Sequence, residues 1–250
     1  MAGLPDDIVS LEEEVEYIQV LVHGDSGSGK TPFGASAAKG LVLATEAGTV
    51  SAARRGSKAK LWKCPTWRDF LKAKEWLEDQ GAGKGIPFSW VTIDSATNLQ
   101  QLLLRHILET EYKAAPSKRS LDIPQIQDHQ QWQNEFKRIM TEMVALPVNL
   151  CATALPMAVE VLDEEGLSEE WIIPQFDGKK GGIAWTICGL FSAGGRVKLV
   201  KMKDGTVKQR IYWQKSGAHW GRDRYEALGA STLNLTLDGL ATKVKAARSA

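Results

Sequence analysis

The chain is poor in the residues that build metal centres and disulfide frameworks. It has three cysteines (Cys64, Cys151 and Cys188) and four histidines in 250 residues. The cysteines are odd in number and lack metal-ligand spacing, so they read as reduced core thiols of a cytosolic protein. The histidines are scattered and none pairs at a ligand interval, which excludes a zinc site of ordinary pattern. Long apolar runs are also missing. Nothing approaches the roughly 18 residues of a membrane span, so no membrane partner is expected. The opening stretch, MAGLPDDIVSLEEEVEY, is acidic and lacks the basic and apolar regions of a secretory leader, and the expected location is the cytoplasm. With a net charge of +1, the chain has no strongly basic overall field; a nucleic-acid surface would have to be a local patch.

What is present is ordinary globular material, 43% hydrophobic and 24% charged, so nothing forces disorder. The length suits one domain over residues 1–250, with 1–14 as a lead-in and 230–250 as a C-terminal helix and tail. Apolar runs predict strands at 17–23, 41–46, 88–95 and 148–155. Helical patterns predict helices at 30–38, 65–81, 97–113, 128–145 and 236–248. Thr66 with Asp69 resembles a capping box, and Gly81 is a stop. Residues 114–127 and the polar, glycine-containing stretch 156–184 read as loops. Residues 196–214 read as a hairpin turning at Asp204-Gly205. Strands alternating with helices imply an α/β fold: a mostly parallel sheet flanked by helices, with a C-terminal antiparallel hairpin at one edge.

The stretch YIQVLVHGDSGSGKTPFG carries the chemistry. Gly24, Gly29, Lys30 and Thr31 complete a G-x-x-x-x-G-K-[ST] loop between a strand and a helix. In such a loop the backbone amides of Gly24, Asp25, Ser26, Gly27, Ser28 and Gly29 converge on phosphate oxygens. Lys30 reaches the β and γ phosphates, and Thr31 holds Mg²⁺. The implied ligands are ATP and Mg²⁺. Pro32 follows, and its fixed φ suits a first helical turn, but it has no amide to give the α-phosphate. Asp94, closing WVTID, is the candidate second Mg²⁺ ligand; the alternative is a strand-end acid capping the next helix. The residue after it is Ser95, not a glutamate, so the water-activating base has to come from another strand tip. Glu46, closing LVLATE, is placed that way; the alternative is a cap for TVSAARRG.

Together GDSGSGKT, LVLATEAGT, VTIDSATNL and NLCATA resemble the RecA superfamily. The likeness is closest to small phage-encoded RecA-like ATPases of single-strand annealing and recombination, over roughly residues 15–229. The resemblance implies a RecA-like P-loop NTPase core, Glu46 as catalytic glutamate, Asp94 on the Walker B strand and Thr153 as sensor. It implies a ring or filament of identical subunits, with cations reaching a neighbour's γ-phosphate: Arg222 and Arg224, or alternatively Lys201 and Lys203. It also implies two loops facing single-stranded DNA, carrying Lys113, Lys118 and Arg119 in the first and Lys179 and Lys180 in the second. A single-stranded-DNA-binding protein or replisome component is a further expected partner, in the cytoplasm of a bacterial host. Two other classes stay open: a helicase loader or partner-remodelling ATPase without direct DNA readout, and a nucleotide-gated binder that hardly turns over.

Overall fold

The structure is a computed structural model that describes residues 17–162, 165–178 and 181–249. The parallel strands are β1 (Gln19–His23), β2 (Gly40–Ala44), β3 (Lys60–Lys63), β4 (Trp90–Asp94) and β5 (Asn149–Ala154). Strand β8 (Ala193–Lys201) continues them beside β1, then turns through Asp204-Gly205 into β9 (Val207–Tyr212). Short strands β10 (Arg222–Asp223) and β11 (Ser231–Leu233) complete the sheet, whose order is β11-β9-β8-β1-β5-β4-β2-β3 with β10 on β8. The mostly parallel sheet with an antiparallel edge is therefore as the element pattern predicts.

Helices cover both faces, which is why β2, β4 and β5 are buried nearly throughout and read as continuous apolar runs. On one face Leu21, Leu43, Ile93 and Leu150 pack under α3 (Trp67–Ala82), α4 (Ala96–Ala114), α5 (Ile126–Val144) and α6 (Gly182–Leu190). On the other, Val20, Val22 and Cys151 pack with Phe33 of α1 (Lys30–Gly34) and with Leu237, Leu240 and Val244 of α7 (Leu237–Arg248). A short α2 (Val50–Arg54) follows β2. All three cysteines are free and buried, and burial pushes the Cys64 thiol up to about 12. Among the described residues no helix is long and apolar enough to cross a membrane.

Three expectations are corrected. The first helix stops at Gly34 rather than at residue 38. A Cβ at residue 34 would sit 2.6 Å from Thr92 Cγ2, so α1 lies against β4 there, and Thr92 Oγ1 donates to the Gly34 carbonyl. The stretch 156–184 is not a loop: β6 (Pro156–Leu162) and β7 (Ser168–Pro174) form a two-stranded ribbon, and α6 follows. Val159 and Ile173 turn one face of the ribbon to the core, while Glu160 and Glu170 are paired opposite each other on the outer face. Within the stretch expected to be a loop, Val159 and Glu160, and likewise Glu170 and Trp171, thus alternate between the two faces of the ribbon with a period of 2.

The third correction concerns Arg119, expected on DNA. Its side chain is only 6% exposed and is ion-paired to Asp128 and to Glu111. It is a buried strut between α4 and α5, because Asp128 at the start of α5 is itself buried and needs a partner. Lys113, in the last turn of α4, and Lys118, on the connection that follows, are exposed. Lys179, Lys180 and the lead-in 1–14 lie outside the described residues.

Candidate functional site

The phosphate loop spans the gap between β1 and α1. His23, the last residue of β1, sits between Ala154 of β5 and Arg196 of β8. The chain then turns at Gly24, whose amide donates to Ala154 O and where a Cβ would lie 2.5 Å from the Val197 carbonyl. Only glycine fits so close an approach. Gly27 and Gly29 adopt φ values of 79° and 101°, which carry the chain through Asp25, Ser26 and Ser28 to the start of α1. Lys30 folds back across the loop, its Nζ donating to Gly24 O at 2.6 Å and Asp25 O at 2.9 Å. Burial lowers the Lys30 pKa, while the nearby carboxylates of Asp94, Glu46 and Asp25 pull it upward. All three acids are therefore in electrostatic reach of that ammonium.

Strand periodicity delivers the acids. Thr92 meets Gly34 of α1, so Asp94, two residues on, faces the same side, toward the loop. Thr153 Oγ1 donates to Asp94 Oδ1 at 2.6 Å, fixing that carboxylate from the neighbouring strand. Glu46 is exposed just past the end of β2. Thr45 moors that tip to β4: its amide donates to Asp94 O at 2.9 Å, and its Oγ1 both donates to Ser95 O and accepts from Ser95 N. Neither acid is a helix cap. The α4 cap is Ser95, whose side chain accepts from Asn98 N, and the N-cap of α2 is Thr49, with no acid in that helix's first turn. Both capping alternatives fall away.

The donors suit a hard cation. Thr31 offers a hydroxyl and Asp94 a carboxylate already oriented by Thr153, the oxygen ligands that Mg²⁺ prefers over nitrogen or sulfur. Among the described residues there is no group of three or more His, Cys, Asp and Glu that would form a separate metal site.

Arg222 and Arg224 stand away from this centre. β10 pairs with Ala193–Gly194, so Arg222 is level with the middle of β1, and its guanidinium donates to Cys188 O at 3.3 Å. Lys201 and Lys203 are exposed at the far end of the β8–β9 hairpin. The cation level with the loop is instead Arg196, whose charge acts on both His23 and His219. His23 is fully buried, and burial pushes it down to about 4 while its Nε2 bonds Trp220 O at 3.1 Å. Sequence reasoning passed over Arg196, His23, Thr45 and Gln209. Thr45 and His23 adjoin motif residues and were findable as strand-end polar groups. Gln209 contacts Gly29 from 180 residues away, and no local signal marks it.

A search of curated proteins returns no match to the chain. A family model described as an AAA domain matches residues 16–225, which take in every element from β1 to β10 as well as the loop, Glu46, Asp94 and Thr153. Such domains are nucleotide-binding and of the P-loop ATPase type, and the chain belongs to the AAA domain family.

Proposed function

We propose that the protein is a RecA-like, Mg²⁺-dependent ATPase, and that its turnover is coupled to self-assembly and to single-stranded DNA. The observation that carries the ATPase reading is the convergence on Lys30 of Asp94, Glu46 and Asp25, with Thr153 and Thr45 holding two of the strand tips. The loop amides and Lys30 bind the β and γ phosphates and stabilise the charge that develops on them. Glu46 accepts the proton of the attacking water, and Thr153 keeps Asp94 in place. Thr31 and Asp94 would hold Mg²⁺, which would supply further charge neutralisation to the phosphates. A cleft of about 480 Å³ beginning at Pro32 and lined by Ser36, Arg55, Lys58, Gln209 and Asn234 is of a size to take the nucleoside end. ATP hydrolysis measured with and without Mg²⁺ tests this reading, with Lys30→Ala expected to abolish turnover. A Lys30→Ala rate within twofold of wild type would remove the loop as the active site.

The DNA part of the proposal is supported by a groove of about 350 Å³ beside the start of α3, lined by Arg68, Arg105, His106 and Lys113. Arg105 is paired with Glu109 there, so Arg68 and Lys113 are the cations available to a phosphate backbone. Arg222 and Arg224 are proposed to reach a neighbouring subunit in a ring or filament, as in the RecA-like proteins of phages that act in the host cytoplasm. One observation favours a second reading, a protein-remodelling or loader role. Leu121, Ile123 and Ile126 beside the same α4–α5 connection are 47%, 71% and 90% exposed, an apolar set of the kind that binds protein. Stimulation of the ATPase by single-stranded DNA, falling steeply with salt and weakened by Arg68→Glu with Lys113→Glu, is expected on the first reading. No stimulation at low salt would leave the second. Specific activity that rises with protein concentration, and is lost in the Arg222→Ala/Arg224→Ala double variant, is the expected sign of a shared site.

A further inference from the structure

We infer that Gln209 is a positioning residue for the phosphate loop, holding its last residue, Gly29, from the antiparallel side of the sheet. The inference rests on the nucleotide-binding reading above and adds a group that belongs to no motif. Gln209 lies on β9 and is 6% exposed. Its Nε2 donates to the Gly29 carbonyl at 2.6 Å, a buried contact across 180 residues of sequence. The same carbonyl accepts from Phe33 N at 3.1 Å, so it is the acceptor that opens α1. Gln209 therefore grips the chain where loop becomes helix.

The grip has a direction. In a planar trans peptide the C=O and the following N–H point opposite ways. Holding the Gly29 carbonyl toward Gln209 turns the Lys30 amide away from it, as a donor at the mouth of the loop. Gly29 has φ 101°, and a Cβ there would lie 2.6 Å from Gln209 Nε2, so the amide occupies the space a side chain would need. Gln209 is itself anchored. Its backbone N donates to Asn234 Oδ1 at 3.0 Å, and its carbonyl accepts from Asn234 N at 2.8 Å. A side chain on so fixed a backbone sets the position of its partner rather than following it.

The test uses ATP and inorganic tripolyphosphate as parallel probes, because the second has no nucleoside. Gln209→Met keeps the volume and removes the donor. It is expected to weaken both probes by roughly tenfold and to lower the melting temperature by only the few degrees that loss of one buried hydrogen bond costs. Gln209→Glu cannot donate when ionised but can when protonated. At this buried position the introduced carboxyl is expected to titrate above its ordinary value of about 4.3, so affinity relative to wild type should be poor at pH 8 and recover as the pH is lowered toward 5. This comparison within one protein stands even if the Met variant does not fold. Tripolyphosphate bound by Gln209→Met as tightly as by wild type overturns the inference, whether or not ATP binding falls. The same holds for a Gln209→Glu variant without pH-dependent recovery. Wild-type protein that binds neither probe removes the nucleotide reading, and the inference with it.

Discussion

The two halves of the sheet serve the phosphate loop in different ways. In the parallel half, β1, β5, β4 and β2 run in register and end together, so the residues at or just past their ends meet: Thr153 and Asp94 within the last two positions of their strands, the loop and Glu46 beyond theirs. In the half that turns antiparallel, β8, still parallel to β1, and β9, antiparallel to β8, run on past that level, and their groups come from the strands' length: the Val197 carbonyl against Gly24, and Gln209 on Gly29. Tips present charge to a ligand; flanks fix the backbone that holds it. Chemistry and posture are therefore separable, and substitutions on the two sides have different signatures.

The largest separation is expected from Glu46→Gln, on the parallel side. It should lower kcat by about 10²-fold or more while leaving the ATP dissociation constant within twofold, by steady-state kinetics and equilibrium binding. An intact rate would mean that this tip supplies no base. At the seam between the halves, Gly24→Ala sets a Cβ against the Val197 carbonyl, whereas Gly27 has open space around it and only its φ of 79° to satisfy. Titration calorimetry should show ATP affinity weakened by about 2–3 kcal/mol in the first case and about 1 kcal/mol in the second. Equal losses would mean that β8 does not press on the loop.

His23 joins the halves through Trp220 and gives a pH signature. Its folded pKa of about 4 lies below the ordinary 6.5, so the unfolded chain binds the proton first. The stability is then complete above pH 6.5 and lost as pH falls toward 4. At pH 5 this amounts to about 2 kcal/mol, read as a lower urea midpoint. His23→Gln, whose amide replaces the Nε2 donor, should flatten much of that dependence; a dependence as steep as wild type would assign it to other groups. The smallest effect is expected at Pro32, half-buried in the first turn of α1. Pro32→Thr restores an amide that α1 itself does not need. ATP should bind about 1 kcal/mol more tightly with the fold unchanged, and an equal or weaker affinity would remove the account of that residue.

How much of this was legible from sequence depends on the range of the interactions. The loop, Asp94 and Glu46 were legible because each is marked within a few residues: glycine spacing, an apolar run, a carboxylate at its end. The ribbon β6–β7 was not, since alternating Val159 and Ile173 are embedded among acids that dominate the local composition. Arg119 looked like a phosphate ligand because its partner Asp128, nine residues on, gave no sign that it would be buried.

By itself, then, the sequence determined that a strand, a glycine loop and a helix follow one another from about residue 17, that strands end near Asp94 and Glu46, and the α/β class; where the first helix stops it did not. In each, local propensity and periodicity already choose the conformation. The tertiary structure alone decided which tips stand side by side, that Thr153 and Thr45 would moor two of them, and that Gln209 would reach Gly29. Those contacts join residues 50 to 180 positions apart. The hydrogen bonds that make them form only when burial of both sheet faces has fixed the strand order.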